Sequence, residues 1–334
     1  MIKIDISAQE PIYLQIANAI VDNIENGNIS QGFKLPSIND LCKQLQVARG
    51  TVTKAYDYLE EQAIISSQHG KGYFIQNTEL NKKLNIFLLL DEIPVYKQVF
   101  FSHFKDTLGE NVNIQVFFYH HNLELFTKLI DENNGKFHHY VIMPHFDIDT
   151  GEVIKRLPPS KVLIINQNVF SLGIDYPAVY QDFEKDVYIG LKTGWHLLKK
   201  YESITLIKSK TNFQYVPAGI ILGFKKFCIE YDFAYSIIDD LDIAQLKSNH
   251  AYLVFSERDL IEIVKFSRKN GFELGKNLGL IGYDDTPVRE VLENGITVIS
   301  TDFAELGKTA ATMLLEKSKI QKSNPGGIIV RGSL

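Results

Sequence analysis

The chain has 334 residues, of which 45% are hydrophobic and 22% charged, and its formal net charge is −5. This composition is typical of a soluble globular protein with two or three domains, and the charge excludes a general affinity for nucleic acids or membranes. Two distant cysteines favour buried free thiols in a reducing compartment, and no signal peptide or membrane-spanning apolar run is present. We therefore expect a cytoplasmic protein.

The first 60 residues carry three predicted helices. Pro11 opens the first, which has an apolar stripe and ends at Gly27. Ser37 is a favourable N-cap for a short second helix, and a tight turn at 46–48 leads into the third, over 48–59. The order helix, helix, turn, helix is typical of a helix-turn-helix, in which the last helix enters the major groove. An ordinary amphipathic helix with a solvated polar face is the alternative for that helix alone.

A hairpin is predicted directly after these helices. Strands at 64–67 and 73–75 flank the glycine-rich turn 68–72, where Lys71 lies between two glycines. The backbone at this tip could approach a phosphate closely, although a plain hairpin turn fits the same residues. Because no helix follows, the turn is not a nucleotide-binding loop.

Residues 11–75 resemble the winged helix-turn-helix of the GntR family of bacterial transcription regulators. The matching segments are 11–16, 32–37, 48–52, 55–56, 59 and 70–75. In that family DNA is contacted by the third helix, by the start of the second helix and by the wing, which here is the hairpin at 64–75. The resemblance therefore implies DNA contacts for Ser37, Asn39, Arg49, Thr51, Lys54, Gly70 and Lys71. The family usually has arginine at position 39, so a guanine contact common in the family is in doubt here.

The charge of this region sets an expectation for its affinity. Residues 1–78 contain six basic and eight acidic side chains, a net charge of −2, whereas DNA-binding domains are more often basic. The bases gather on the proposed DNA-reading surface, at Lys43, Arg49, Lys54 and Lys71. We expect modest affinity from one domain, which favours a homodimer on a two-fold symmetric site.

After a polar linker at 77–84, apolar runs alternate with helical segments. Strands are predicted at 86–90, 113–118, 139–143, 161–165, 203–207, 235–238, 250–255, 278–282 and 296–299. Helices are predicted at 95–109, 122–133, 150–156, 183–201, 217–231, 257–270 and 302–318. The alternation predicts an α/β fold with parallel sheets flanked by helices, and its two series suggest two lobes. The predicted domains are thus 1–76 and 85–334.

Four segments of the second domain are similar to LacI-type sensor domains, namely 182–204, 280–286, 296–310 and 328–333. The resemblance covers about residues 85–334 and implies a periplasmic-binding-protein-like (type I) fold, with two Rossmann-like lobes that hold a small ligand, commonly a sugar. One position departs from the family. Ile220 stands where an arginine often precedes the pair Gly223-Phe224, so a common ligand contact is missing; Arg258 or Arg289 could replace it.

Ligands of open α/β sheets lie beyond the carboxyl ends of the strands. Those ends carry carboxylates, amides and aromatic rings, which suit sugar hydroxyls and apolar sugar edges. The candidate effector-binding residues are Glu92, His145, Asn166, Phe213, Tyr215, Glu257 and Asp284. Asp284 lies in a matched segment at a position that binds the ligand in the LacI family. For each of the others, a polar loop residue without a ligand is the alternative.

The combined pattern indicates a homodimeric, sequence-specific regulator of transcription that binds double-stranded operator DNA under the control of a small effector, such as a monosaccharide. We expect no cofactor, metal, catalytic residue or membrane partner. The histidine pairs at 120–121 and 138–139 suggest an enzyme, but no nucleophile motif, metalloprotease motif or phosphate loop accompanies them. A solute-binding receptor, a regulator of a nucleoside or other metabolite, and a sensor half that only dimerises are further alternatives.

Overall fold

A computed structural model describes residues 2–6, 10–68, 70–78, 83–208 and 215–334. The chain divides into two compact units, which are described separately: residues 1–84 with 132–138, and residues 85–131 with 139–334. Within the described ranges, no helix combines the length and the apolar character needed to cross a membrane.

The first unit has three helices and a hairpin. Its elements are α1 (Ile12–Glu25), α2 (Ile38–Leu45), α3 (Arg49–Glu61), β1 (Ile65–Gln68) and β2 (Gly72–Ile75). The two strands pair antiparallel, with Ile65 opposite Ile75. Ser37 caps α2 by accepting a hydrogen bond from the backbone N–H of Asp40 at 3.2 Å. The predicted winged helix-turn-helix is confirmed.

One apolar core joins the elements of this unit. Val52, Tyr56 and Leu59 of α3 are fully buried together with Ile16 of α1. The Tyr56 hydroxyl donates a hydrogen bond of 2.8 Å to the carbonyl of Pro36, which ties α3 to the turn before α2. The face of α3 that opposes Val52 and Tyr56 is consequently left on the surface.

The second unit alternates strands and helices along its length. The elements of its first half are β3 (Leu84–Leu90), α4 (Val95–Leu108), β4 (Val112–Phe118), α5 (Leu123–Asn133), β5 (His139–Ile142), α6 (Gly151–Ile154), β6 (Val162–Asn166) and β7 (Ala178–Tyr180). The next are α7 (Phe183–Thr193), α8 (Trp195–Leu198), β8 (Ser203–Ile207), α9 (Ala218–Glu230), β9 (Ala234–Ile238), β10 (His250–Val254), α10 (Glu257–Asn270), β11 (Leu278–Tyr283), α11 (Pro287–Val291) and β12 (Thr297–Thr301). The chain ends with α12 (Phe303–Leu315), β13 (Gln321–Ser323) and β14 (Gly326–Ile329).

These strands form two six-stranded sheets, one for each lobe. The first lobe has the strand order β13-β7-β6-β5-β3-β4, and the second has β14-β12-β11-β10-β8-β9. Strands β5 to β7 and β8 to β12 pair parallel with their neighbours, whereas the edge strand β14 runs antiparallel to β12. The predicted two-lobed α/β fold is confirmed.

The sequence pattern missed three short strands, β7, β13 and β14, which have three or four residues each and too few side chains to show a period. It also predicted one helix over 183–201, whereas the helix divides at Gly194 into α7 and α8. A side chain at Gly194 would lie 2.8 Å from Ile328, so the glycine permits β14 to pack at this point.

The chain passes between the lobes three times, after β7, β12 and β13. Asn324 joins all three passages and is 2% exposed. Its backbone N–H donates to the carbonyl of Tyr180 at 2.6 Å, and its side-chain amide donates to Thr301 Oγ1 at 2.8 Å and to the carbonyl of Asp302 at 3.0 Å. These hydrogen bonds hold the three passages side by side at Asn324.

Candidate nucleic-acid interface and ligand cleft

The candidate nucleic-acid interface lies at the start of α3. Arg49 is the first residue of this helix and is exposed, and a methyl group added to the adjacent Gly50 would meet no described atom from elsewhere in the fold within 4 Å. Asn39 on α2 is also exposed, and Thr51 is half-buried. An exposed arginine at a helix start can reach a guanine edge, since its fork matches two acceptors in the major groove.

Two other predicted DNA contacts already have partners in the fold. The Ser37 hydroxyl donates to the Asp40 carboxylate at 2.6 Å while it caps α2. The Lys54 ammonium lies 4.1 Å from the centre of the Tyr13 ring, a distance typical of a cation–π contact. Lys54 thus keeps its charge on the surface, but its position is set by α1.

The wing places Gly70 and Lys71 at an exposed turn, where Gly70 and Gly72 have φ values of 74° and 109°. These left-handed values explain the two glycines. Lys34, which the sequence interpretation did not place on this surface, lies beside the wing, with its ammonium 6.0 Å from the centre of the Phe74 ring. No sequence signal brings Lys34 to the wing, because the contact joins residues 40 positions apart.

A cavity lies between the two lobes, at the carboxyl ends of their strands. Glu92, His145, Asn166, Tyr215 and Asp284 all line it. Only about 30 Å³ of it can hold the centre of a water molecule, which is far less than the roughly 300–1,000 Å³ of most ligand pockets. The lobes are therefore close together, and a sugar-sized ligand needs them to separate.

One predicted effector residue, Phe213, lies outside the described residues. Glu257, at the start of α10, accepts a hydrogen bond of 3.0 Å from Arg289 Nε and does not line the cavity. Its carboxylate holds Arg289 in place.

Arg289 binds backbone carbonyls beside the cleft. It is 2% exposed and donates to the carbonyls of Tyr283, Asp284 and Phe255 as well as to Glu257. With these four hydrogen bonds its donors face the loop that carries Asp284, and Arg289 does not line the cavity. Ile220 is fully buried in the core of the second lobe.

Four polar side chains of the first lobe, those of Lys97, Asp91, His145 and Asn166, form a hydrogen-bonded series. The ammonium of Lys97 in α4 is bonded to Asp91, which directly follows β3. The other oxygen of Asp91 lies 2.8 Å from His145 Nδ1, and His145 Nε2 lies 2.8 Å from the Asn166 side-chain amide. All four are buried, with exposures of 1–7%.

Charge and burial decide where the hydrogen atoms lie in this hydrogen-bonded series of side chains. Burial alone raises the pKa of Asp91, but His145 and Lys97 hold that pKa well below its usual range, so Asp91 is a carboxylate. Burial lowers the pKa of His145, which favours the neutral ring. The proton of His145 then lies on Nδ1, facing Asp91, and Nε2 must accept from the Asn166 NH₂ group. Asn166 Oδ1 is left without a partner among the described residues.

Asp284 occupies the opposite side of the cavity, directly after β11. Its φ is 65°, it is 8% exposed, and its backbone N–H donates to the carbonyl of Ile299 at 2.8 Å. Burial raises its pKa to about 7, and it also raises the pKa of Glu92. In the part of the chain that the structure describes, no hydrogen-bond donor is placed on the Asp284 carboxylate, and neither carboxylate is paired with a cation that would offset its burial.

Aromatic side chains from both lobes complete the cavity. The Tyr215 ring stacks over His145 with the centroids 5.4 Å apart, and its hydroxyl donates to Asp147 at 3.0 Å. Sequence reasoning named Tyr215 but missed several other lining residues. These are Tyr96, Lys97, Gln181, Phe183, Pro217, Phe255, Tyr283 and Phe303. Most lie on helices or inside strands, where an apolar pattern predicts core. Among the described residues, no cluster of three or more metal-ligating side chains is present.

Two family models match the chain. Residues 12–75 match the bacterial regulatory proteins of the gntR family, and residues 228–334 match the periplasmic binding protein-like domain. The first match spans the three helices and the wing, and the second spans most of the second lobe together with α12.

Relatives match mainly through the first domain. An uncharacterised HTH-type transcriptional regulator, YurK of Bacillus subtilis, is 39% identical over 74 residues, which are 22% of this chain and 31% of YurK. The chain spans less than two thirds of the length of each of the first relatives that it matches. The NTD biosynthesis operon regulator NtdR of Bacillus subtilis matches further, with 23% identity over 84% of this chain and 92% of NtdR.

Solved structures share the fold of the second domain. A LacI family transcriptional regulator from Enterococcus faecium with bound ribose superposes with a TM-score of 0.58 at 17% identity, covering 75% of this chain and 98% of that chain. Identity at this level shows the fold alone.

Proposed function

Because the chain joins a gntR-type winged helix-turn-helix to a periplasmic-binding-protein-like domain of the LacI type, we propose that it is a DNA-binding transcription regulator controlled by a small effector. The observation that carries this proposal is the pairing of an exposed Arg49 at the start of α3 with a polar, two-lobed cleft in the same chain. Its relatives YurK and NtdR are also named as regulators.

We propose the domain boundaries 1–76, 77–84 and 85–334, a homodimer, and a cytoplasmic location. The end of β2 at Ile75 and the start of β3 at Leu84 support the boundaries. The net charge of −2 in residues 1–78 supports the homodimer, since two domains on one operator multiply a modest affinity. DNA contacts are proposed for Ser37, Asn39, Arg49, Thr51, Lys54, Gly70 and Lys71.

A sugar is the proposed class of effector. The ribose in the Enterococcus faecium structure supports it, as do the carboxylates, amide and aromatic rings that line the cleft. The proposed contacts are Glu92, His145, Asn166, Tyr215 and Asp284, with Phe213 and Glu257 as further candidates. The effector changes operator affinity only to the extent that it prefers one lobe arrangement over the other, typically by about 1–3 kcal/mol.

The DNA-binding half of this proposal is tested with Arg49→Ala. The full-length protein selects its operator from a random pool of duplex DNA, and gel shifts then compare the variants on the selected sequence. Loss of one bidentate arginine contact costs about 1–3 kcal/mol per half-site, so affinity should fall by tenfold or more. Arg268→Ala, which removes an exposed arginine of α10 in the second unit, is the matched control. Failure to enrich any sequence, or equal affinity of Arg49→Ala and wild type, refutes the proposal.

A further inference from the structure

The cleft carries more negative than positive charge. Among its lining residues are three carboxylates, Asp91, Glu92 and Asp284, and one ammonium, that of Lys97. Lys97 and Asp91 are bonded to each other and are both at most 2% exposed. The nearby cation Arg289 faces backbone carbonyls and Glu257. Within the described ranges, Glu92 and Asp284 therefore remain in the cleft without a cation bound to them.

A second, independent observation points the same way. Asn166 is 3% exposed, and its Oδ1 has no hydrogen-bond partner among the described residues. The hydrogen-bonded series of Lys97, Asp91 and His145 orients the Asn166 amide so that its NH₂ group donates to His145. The amide oxygen of Asn166 then faces the cavity as an acceptor. A buried acceptor without a donor is costly, and a ligand that donates a hydrogen bond removes that cost.

We propose that the effector carries an ammonium group, as an amino sugar does, which is bound by the carboxylates of Asp284 and Glu92 and donates to Asn166 Oδ1. This inference rests on the proposed function and gives the chemical class of its ligand. An ammonium has three donors and a positive charge, so it satisfies all three groups at once. A hydroxyl supplies one donor and no charge, and it would leave the buried Asp284 carboxylate and the half-buried Glu92 carboxylate without a compensating cation.

The small free volume gives this charge a second role. The lobes meet closely around Glu92 and Asp284 and leave about 30 Å³ between them, so a bound sugar must hold the lobes farther apart than they lie here. Without a cation, the negative charges of Asp284 and Glu92 face the same cavity, where like charges repel. An ammonium held between the two carboxylates would gain two charge-assisted hydrogen bonds. The ligand's charge, and not only its shape, then favours the lobe arrangement that holds it.

The test compares sugars that differ only at one substituent. Thermal unfolding of the full-length protein is measured with glucose, galactose and mannose, with their 2-amino derivatives, and with the N-acetylated forms, which keep the nitrogen but lose its charge. At least one amine should raise the melting temperature by roughly 5–10 °C at about 100 times its Kd, and its neutral partners should not. Magnesium chloride alone is included because a metal ion could also neutralise carboxylates.

Variants assign the effect to the cleft. Asp284→Asn and Glu92→Gln keep the side-chain shapes and should each weaken the amine by at least tenfold, which is typical of a lost charge-assisted hydrogen bond. Glu110→Gln, an exposed glutamate in the loop before β4, should leave the affinity unchanged. Gel shifts on the selected operator show that the variants are folded and still bind DNA.

The outcomes separate this inference from the proposed function. An equal or larger shift with a neutral or N-acetylated sugar, or with magnesium alone, overturns the ammonium ligand. Failure of every amine, or an amine that stabilises Asp284→Asn and wild type alike, overturns it too. In each of these cases operator selection and the Arg49→Ala comparison stand unaffected, so the DNA-binding regulator survives. Loss of operator binding in wild type would instead refute the regulator and leave the ligand result intact.

Discussion

Asp284→Asn should stabilise the ligand-free protein, and more so at alkaline than at acidic pH. Burial raises the pKa of Asp284 from an ordinary 3.8 to about 7, so the folded state holds this proton more tightly than the unfolded state. Stability from a raised carboxyl pKa is present at low pH and is lost as pH rises through the window from 3.8 to about 7. Asparagine does not titrate, so the variant escapes that loss.

The magnitude follows from the shift of the pKa. One pKa unit corresponds to about 1.4 kcal/mol, so the raised pKa of Asp284 costs wild type about 4 kcal/mol at about pH 8 and about 1–2 kcal/mol at about pH 5. Arg289 and Lys97 lower the pKa of Asp284, and Asp285 raises it. The stability advantage of Asp284→Asn should therefore grow by about 2–3 kcal/mol between these pH values, or roughly 5–10 °C in melting temperature.

The single tryptophan gives a local signal for this measurement. Trp195 packs against Phe227, with ring centroids 5.8 Å apart, and lies in the same unit as Asp284. Thermal unfolding followed by its fluorescence therefore reports on the domain that holds the mutated group. Every histidine is common to both proteins, so histidine titration cancels in the difference.

Asp285→Asn is the matched control, because the same chemical change should have the opposite sign. Asp285 forms a two-pronged ion pair with Arg331 at 2.7 and 2.8 Å, and its loss should destabilise the fold by about 1–3 kcal/mol. An Asp284→Asn advantage that stays constant from about pH 5 to about pH 8, or that shrinks, would show that Asp284 is not a strained buried carboxylate.

Two glycine substitutions test the packing of the two units by urea unfolding. Gly223→Ala should destabilise the second unit by about 1–3 kcal/mol or more, because the added carbon would lie 2.2 Å from the carbonyl oxygen of Glu184 in α7; an unchanged midpoint would contradict the close packing of α9 on α7. Gly50→Ala should stabilise the first unit by about 0.5–1 kcal/mol, since its site in α3 is open and helical; a loss of stability would mean that the start of α3 is not an exposed helix.

The fold could be predicted largely from the sequence because its signals are local. Apolar runs such as 86–90 and the spacing of buried residues in α3 set the element types, and Ser37 marks a helix start. The edges of the sheets could not be predicted in the same way. Strand β13 pairs with β7 and strand β14 pairs with β12, and segments this short contain no local pattern that predicts the pairing.

The cleft was only partly predictable, for a physical reason. Residues at or just after strand ends, such as Glu92, Asn166 and Asp284, could be named because parallel sheets bring strand ends to one edge. Lys97 and Tyr96 could not, because they lie on α4 and become cleft residues only through the way that helix packs. The direction of Arg289 also depends on contacts, with Glu257 and three backbone carbonyls, that no local pattern shows.

Two polar residues of the cleft, one from each lobe, share a backbone conformation that is uncommon for residues with side chains. Asn166 has a φ of 64° and Asp284 a φ of 65°, and each stands at the end of a buried strand. Asn and Asp enter the left-handed region more readily than other residues with side chains, so both lobes can end a strand with an abrupt turn and still present a polar group. Glycine would make the same turn more easily but would present nothing. A left-handed turn that also carries a buried oxygen fits the proposed effector site, and the proposed ligand would supply the donor that Asn166 Oδ1 lacks among the described residues.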